Sequence, residues 1–278
     1  MGAAHVFTQL AEQRRDGPVV VAHRGDSANF PENTLPAFAS ALRLGVTMQE
    51  FDVRPTRDGV LACLHDATLD RTTDAARRLG PGALIAETTW HEVRALDAGS
   101  WRGPSHCGAR VPSLADVLAL MAPSCIAMVE HKAGDAAAYV AELRRAGAEQ
   151  RAVLQSFDWQ FVATVHQLAP DIAVALLGPT AACQRLDAAV DEAVRCGAGM
   201  LHWHATGLCI DEVTSCQDAG LLVCTYTTDD DLGICGGAAL GLDAMCTNVP
   251  ARMLGLRQRG LLARRAASHA TAARPDTP

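Results

Sequence analysis

A rhythm constrains this chain more than any other feature: eight short apolar or β-branched runs, at 19–22, 48–53, 126–131, 152–156, 173–177, 199–203, 222–226 and 244–247, alternate with amphipathic stretches. Short runs of this kind are strands buried on both faces, and strands that alternate with helices align in parallel. Eight is the number that closes a parallel α/β barrel. Helices are expected between them at 34–45, 135–147, 158–169, 185–197 and 211–220. The first opens at Asn33 or Thr34, with Pro36 in the first turn, where no helical amide partner is lost. At 278 residues, 49% of them hydrophobic, the chain can bury one full core. A single barrel domain over 19–256 is expected, with 1–18 as an N-terminal extension.

Two segments break the rhythm. Residues 60–64 read as a ninth strand, and only six residues separate Val53 from Val60, too few for a parallel crossover. The segment must therefore return antiparallel, as a hairpin projecting above the barrel rim. Taking Asp58-Gly59 as a two-residue loop sets Val53 opposite Leu64 and Asp52 opposite His65. About 67–118 then form a small insertion of turns and short helices. The tail at 260–278, rich in alanine and arginine, carries no continuing apolar stripe and is expected to be disordered.

Charge narrows the function. A formal net charge of -7 and a pI near 5.8 exclude the broad basic surface that holds nucleic acid or anionic membrane, so an anionic substrate must be met by a local cation. The ten cysteines form no Cys-x-x-Cys pair and suggest neither a zinc module nor a disulfide framework. Reduced thiols, the absence of an apolar leader or membrane span, and the charged start at Glu12, Arg14, Arg15 and Asp16 together place the chain in the cytoplasm as an expectation. Arginine outnumbers lysine 23 to 1, which singles out Lys132.

Glu50 and Asp52, two apart at the end of a strand, share one face. On an edge they would simply meet solvent; inside a barrel they would repel unless a cation lay between them. Glu130 closes the next barrel strand, in IAMVEHK, and reaches the same rim. Three converging acids form a hard-cation site for magnesium or calcium, and Lys132 lies on the face of Glu130. His23 and Arg24 leave the first strand. The histidine is either a structural one satisfied by carbonyls or a proton carrier, and the guanidinium can grip a phosphate. His65, in LACLHD, means little alone. His202 and His204 have metal-pair spacing, but no acid or cysteine nearby completes a set. Gly236-Gly237 lacks the context of a nucleotide loop, and no Gly-x-Ser-x-Gly is present.

Taken together, VVVAHRGDSANFPENTLPAFASAL resembles the opening motif of the glycerophosphodiester phosphodiesterase family. QEFDVRPTRDGVLACLHDATLDRTT is similar to its second block and MVEHK to its third, and LQSFDWQFVATVHQLAP and LGLDAMCTNVPARM resemble later ones, so the likeness spans about 19–255. The resemblance implies a parallel (β/α)8 TIM barrel and a divalent metal ion (Mg2+ or Ca2+, with Mn2+ a third choice) held by Glu50, Asp52 and Glu130. It further implies acid–base work by His23 and His65, substrate binding by Arg24 and Lys132, and an orienting role for Glu32 beside Arg24 or His23. The implied reaction hydrolyses a small-molecule glycerophosphodiester to glycerol 3-phosphate and an alcohol, in lipid and glycerol metabolism. One departure concerns substrate packing: where the family often carries Trp-Thr, this chain has Tyr226-Thr227. Two rival readings remain: lysophospholipase D-like hydrolysis, with Leu79, Leu84, Ile85 and Trp90 lining an acyl trough, and a silent barrel that binds phosphorylated ligands. A pure binder has no use for two proton carriers.

Overall fold

The structure, a computed structural model, describes residues 2–178, 186–206 and 208–263. Its nine strands are β1 (Val19–His23), β2 (Met48–Pro55), β3 (Leu61–Cys63), β4 (Ile126–His131), β5 (Ala152–Ser156), β6 (Ala173–Leu177), β7 (Met200–His204), β8 (Leu222–Tyr226) and β9 (Ala244–Thr247). Eight pair in parallel in the order β1-β9-β8-β7-β6-β5-β4-β2, and a further β1–β2 pairing closes the ring. This is a (β/α)8 TIM barrel, and β3 is the extra strand, antiparallel to β2 outside the ring.

Period-2 alternation splits the apolar residues into two layers. Val19, Val21, Met48, Met128, Val153, Ala175, Met200 and Cys224 fill the barrel interior. Their neighbours Val20, Phe51, Val129, Leu154, Val174, Leu201 and Val223 face outward into the layer beneath the helices. The inner layer has a contributor that the barrel pattern does not announce. The helix Gly2–Gln13 lays the buried side chains of Val6 and Leu10 into it. The Phe7 ring sits so close to Gly199, just before β7, that a Cβ there would meet it at 2.4 Å. Residues 1–18 therefore include a plug for the amino-terminal mouth of the barrel as well as a lead-in to β1.

The hairpin forms as expected but one residue out of the expected register. The pairs are Val53↔Cys63, Arg54↔Ala62 and Pro55↔Leu61, so Val53 does not face Leu64 and Asp52 does not face His65. The cause is the turn. The Thr56 amide donates to Val60 O and the Gly59 amide to Thr56 O, which makes a three-residue loop. Within it only Gly59 takes a positive φ, +82°, whereas a two-residue type I′ loop needs two such residues. Asp58 instead accepts from the Thr56 hydroxyl at 2.7 Å and from the Trp90 amide at 2.8 Å, fixing the loop to the insertion.

The inserted segment has a small core of its own, built from Leu69, Ile85, Val93, Leu96 and Val111 on Ala62 and Leu64 of the hairpin arm. Ile85 is buried there, and Trp90 packs against this core while also lining a cleft of about 540 Å³ with Leu35, Pro36 and Val111. The helix Leu114–Met121, capped by Ser113 and Asp116, puts Leu114, Val117, Leu118 and Met121 into the main outer core. Of the tail, 264–278 lies outside the described residues, whereas Leu262 is buried against the barrel.

Candidate active site

Strand register brings the first functional side chains to one level. His23 pairs with Glu50 across β1–β2, and Asp52 with Glu130 across β2–β4. Glu50, Asp52 and Glu130 are all buried, and they offer oxygens that lie within 4.8 Å of one another. Burial and then the charges of Asp52 and Glu130 push Glu50 well above the carboxylate range. Burial and then Asp52 raise Glu130 to about 7. Burial would raise Asp52 as well, but Arg24, Lys132, His65 and the Asn33 amide hold it far below that range. Lys132 contacts Glu130 and stands 3.2 Å from Asp52, which secures one edge of the cluster only. Among the described residues neither oxygen of Glu50 has a hydrogen-bond donor, although Glu50 is 2% exposed. A buried set of hard oxygens in which Glu50 is left without a donor among the described residues fits a divalent cation such as magnesium or calcium.

The loop after β1 is shaped to aim Arg24 at this cluster. Arg24 and Asn33 both hold φ at 56°, in the left-handed region that few side chains adopt without support. The support is visible: the Arg24 amide donates to Glu50 O, the Asn33 amide to Arg24 O, and Asn33 Nδ2 to Asp52 Oδ2 at 2.9 Å. The guanidinium then lies with Nε 3.0 Å from Asp52 Oδ2 and Nη1 donating to Glu32 Oε1 at 2.8 Å. Gly25 makes the turn possible, since a Cβ there would lie 2.7 Å from the backbone of Ala37.

His23 has a defined tautomer. Its Nδ1 is 2.7 Å from Asn248 Oδ1, and Asn248 Nδ2 donates to Asp229 Oδ2 at 2.7 Å. Because the amide nitrogen must face the Asp229 carboxylate, the amide oxygen faces the ring. His23 Nδ1 therefore carries the proton and Nε2 is bare, 3.8 Å from Glu50 Oε2. Burial, then the charge of Arg24, lowers His23 to about 4. His65 is held differently. Its Nδ1 is 2.6 Å from Asp66 Oδ1, and its carbonyl accepts from Arg54 Nε at 2.8 Å. Hydrogen bonds from Arg71 lower Asp66 to about 2.

Beside the acids a cleft of about 490 Å³ opens, lined by Glu130, Lys132, Ser156 and Phe157 among others. Phe157 is 44% exposed and meets Tyr226 edge-on at 6.1 Å, while the Tyr226 hydroxyl donates to Gly178 O at 2.7 Å. His202 and His204 flank the same Tyr226 ring at 5.0 and 5.5 Å. His202 is far from peripheral. It lies buried inside the barrel, bonded through Nδ1 to Gln155 at 2.8 Å, and burial lowers it to about 3.

All seven side chains singled out from the sequence (His23, Arg24, Glu50, Asp52, His65, Glu130 and Lys132) thus belong to one connected array, and Glu32 pairs with Arg24. Sequence reasoning passed over Asn33 as a carboxylate partner, and also Asp66, Arg71, Asn248 and Asp229. The one local signal was Asp66 directly after His65; the others meet only through folded loops.

The glycerophosphoryl diester phosphodiesterase family model matches residues 23–252. A glycerophosphodiester phosphodiesterase of Caldanaerobacter subterraneus is 30% identical over 249 residues, covering 87% of this chain and 98% of that one. The crystal structure of a glycerophosphodiester phosphodiesterase from Agrobacterium tumefaciens superposes with a TM-score of 0.74 at 26% identity, covering 86% and 99% of the two chains. An Oleispira antarctica phosphodiesterase in complex with the product sn-glycerol-3-phosphate gives 0.75 at 27% identity, covering 86% and 96%. With this agreement and a site of buried acids at the carboxyl ends of its strands, the chain belongs to the glycerophosphoryl diester phosphodiesterase family and is a phosphoric diester hydrolase.

Proposed function

We propose that this protein hydrolyses small glycerophosphodiesters to glycerol 3-phosphate and an alcohol, with a divalent cation held by Glu50, Asp52 and Glu130 and with His23 and His65 as the proton carriers. The observation that carries the reading is the buried three-carboxylate cluster whose Glu50 oxygens find no donor among the described residues. The product complex of the Oleispira relative supports the substrate class.

When bound, the cation supplies Lewis-acid stabilisation of charge on the phosphoryl oxygens. The chain's own residues do the rest. Arg24, fixed between Asp52 and Glu32, presents its guanidinium to a nonbridging oxygen, and Lys132 neutralises charge from the side of β4. His23, neutral and bare at Nε2, takes the proton from the nucleophilic hydroxyl. His65, whose Nδ1 proton is committed to Asp66, delivers its Nε2 proton to the leaving alkoxide. The alcohol packs in the cleft beside Phe157.

Turnover of glycerophosphocholine, glycerophosphoethanolamine and a lysophospholipid, each with chelator and with added metal, tests this assignment. Metal-dependent release of glycerol 3-phosphate from the first two supports it. Preference for the lysophospholipid replaces it with a lysophospholipase D-like reaction. No turnover of any of them leaves a ligand-binding barrel.

A further inference from the structure

Arg71 belongs to the inserted segment and contacts none of the three clustered acids, yet through Asp66 and Glu32 it joins His65 to Arg24, two of the groups assigned to the reaction. Its Nε donates to Asp66 Oδ2 at 2.6 Å and its Nη2 to Asp66 Oδ1 at 3.1 Å. Its Nη1 and Nη2 donate to Glu32 Oε2 and Oε1 at 3.0 and 2.8 Å. Asp66 Oδ1 is the oxygen that meets His65 Nδ1, and Glu32 Oε1 is the one that accepts from Arg24. An unbroken chain His65–Asp66–Arg71–Glu32–Arg24–Asp52 thus crosses the loop after β1, the loop after β3 and the insertion.

The geometry is specific to a guanidinium. Two carboxylates lie side by side on one planar fork, and a lysine ammonium, a point charge, cannot grip both bidentately. Without the fork, Asp66 and Glu32 would repel and the two loops would move apart. An arginine whose side chain is 44% exposed yet makes four hydrogen bonds is held in one conformation, which isolated surface ion pairs rarely are.

We propose that Arg71 is a positioning residue that fixes the His65–Asp66 pair beside Arg24, so that the His65 Nε2 proton meets the leaving oxygen of the phosphate gripped by Arg24. The proposal rests on the reading of His65 as the acid. In that step the nucleophilic oxygen, its proton passing to His23 Nε2, forms a bond to phosphorus, the bond between phosphorus and the leaving oxygen breaks with its electron pair staying on oxygen, and the proton of His65 Nε2 passes to that oxygen. An alkyl alcohol, a poor leaving group, needs this proton; a 4-nitrophenolate does not.

The test compares Arg71→Gln with wild type on glycerophosphocholine and on the 4-nitrophenyl ester of glycerol 3-phosphate, with metal present. Arg71→Gln should lose at least about tenfold in kcat on glycerophosphocholine with little change in KM, but less than about threefold on the nitrophenyl ester. Arg71→Lys should fall between. His65→Ala should show the same substrate pattern, more strongly, and Asp66→Asn provides a second route if the arginine variant folds poorly in a thermal melt. Equal losses on both substrates, or no loss on glycerophosphocholine, would overturn the role of Arg71. If His65→Ala itself loses equally on both, the acid assignment falls and takes this proposal with it.

Discussion

His23 and His65 carry the same ring in opposite settings. His23 is half-buried and faced by Arg24, and these two effects favour the uncharged ring, outweighing the opposing hydrogen bond to the Asn248 amide. His65 is backed by an ionised Asp66, which orients the ring through Nδ1. Replacing either by Ala should cost at least about a hundredfold in kcat, the usual scale for an acid–base group, and a variant with near-normal turnover removes that histidine from the reaction. The sign of the pH effect follows from His23. A base must be unprotonated, so kcat/KM rises with pH through its pKa, and lowering that pKa from 6.5 to about 4 moves the rise to lower pH. Arg24→Gln removes a charge that lowers His23, so its acid limb should shift to higher pH; an unmoved limb assigns it to another group. His202, buried and bonded to Gln155, is a poor choice of inert control despite its distance from the motifs in sequence.

At the scale of elements, the sequence made the strands legible because a run buried on both faces has to be apolar throughout. The expected spans at 152–156, 173–177, 222–226 and 244–247 match β5, β6, β8 and β9 to the residue. The acids and His23 were legible because they interrupt such runs at their carboxyl ends. The hairpin register was not, because it depended on whether Asp58 took a positive φ or accepted hydrogen bonds from Thr56 and Trp90. Asp66, Arg71 and Asn248 were hidden for a related reason: their roles depend on which loops meet above the rim. The insertion gives a test of its own. Asp97 accepts from the amides of Gly99, Ser100 and Gly108. Burial would raise its carboxyl, but these amides outweigh that and hold it well below the usual range. Its contribution is therefore present above the unfolded value of about 3.9 and lost as pH falls toward the folded one. Asp97→Ala should destabilise by about 1–2 kcal/mol, since the loop amides keep partial access to water, and should flatten the acid side of the stability profile. An unchanged unfolding midpoint in urea would contradict this.

At the scale of the molecule, the two mouths of the barrel divide the work. The carboxyl mouth gathers the acids, Arg24 and both histidines, while the helix Gly2–Gln13 seals the other with Val6 and Leu10. Deleting residues 1–13 should cost about 3–6 kcal/mol, from two fully buried aliphatic side chains at about 1.5–3 kcal/mol each, and leave KM unchanged well below the melting temperature. A large rise in KM without loss of stability would mean that this helix shapes the site. The central claim, that the buried carboxylates hold a cation on which hydrolysis depends, is tested most directly by one titration: glycerol 3-phosphate release from glycerophosphocholine by chelator-treated protein as magnesium, calcium or manganese is returned. The account predicts no release in chelator, saturable recovery in the wild type and no recovery in Glu50→Gln, whereas full activity in chelator or in that variant would contradict it.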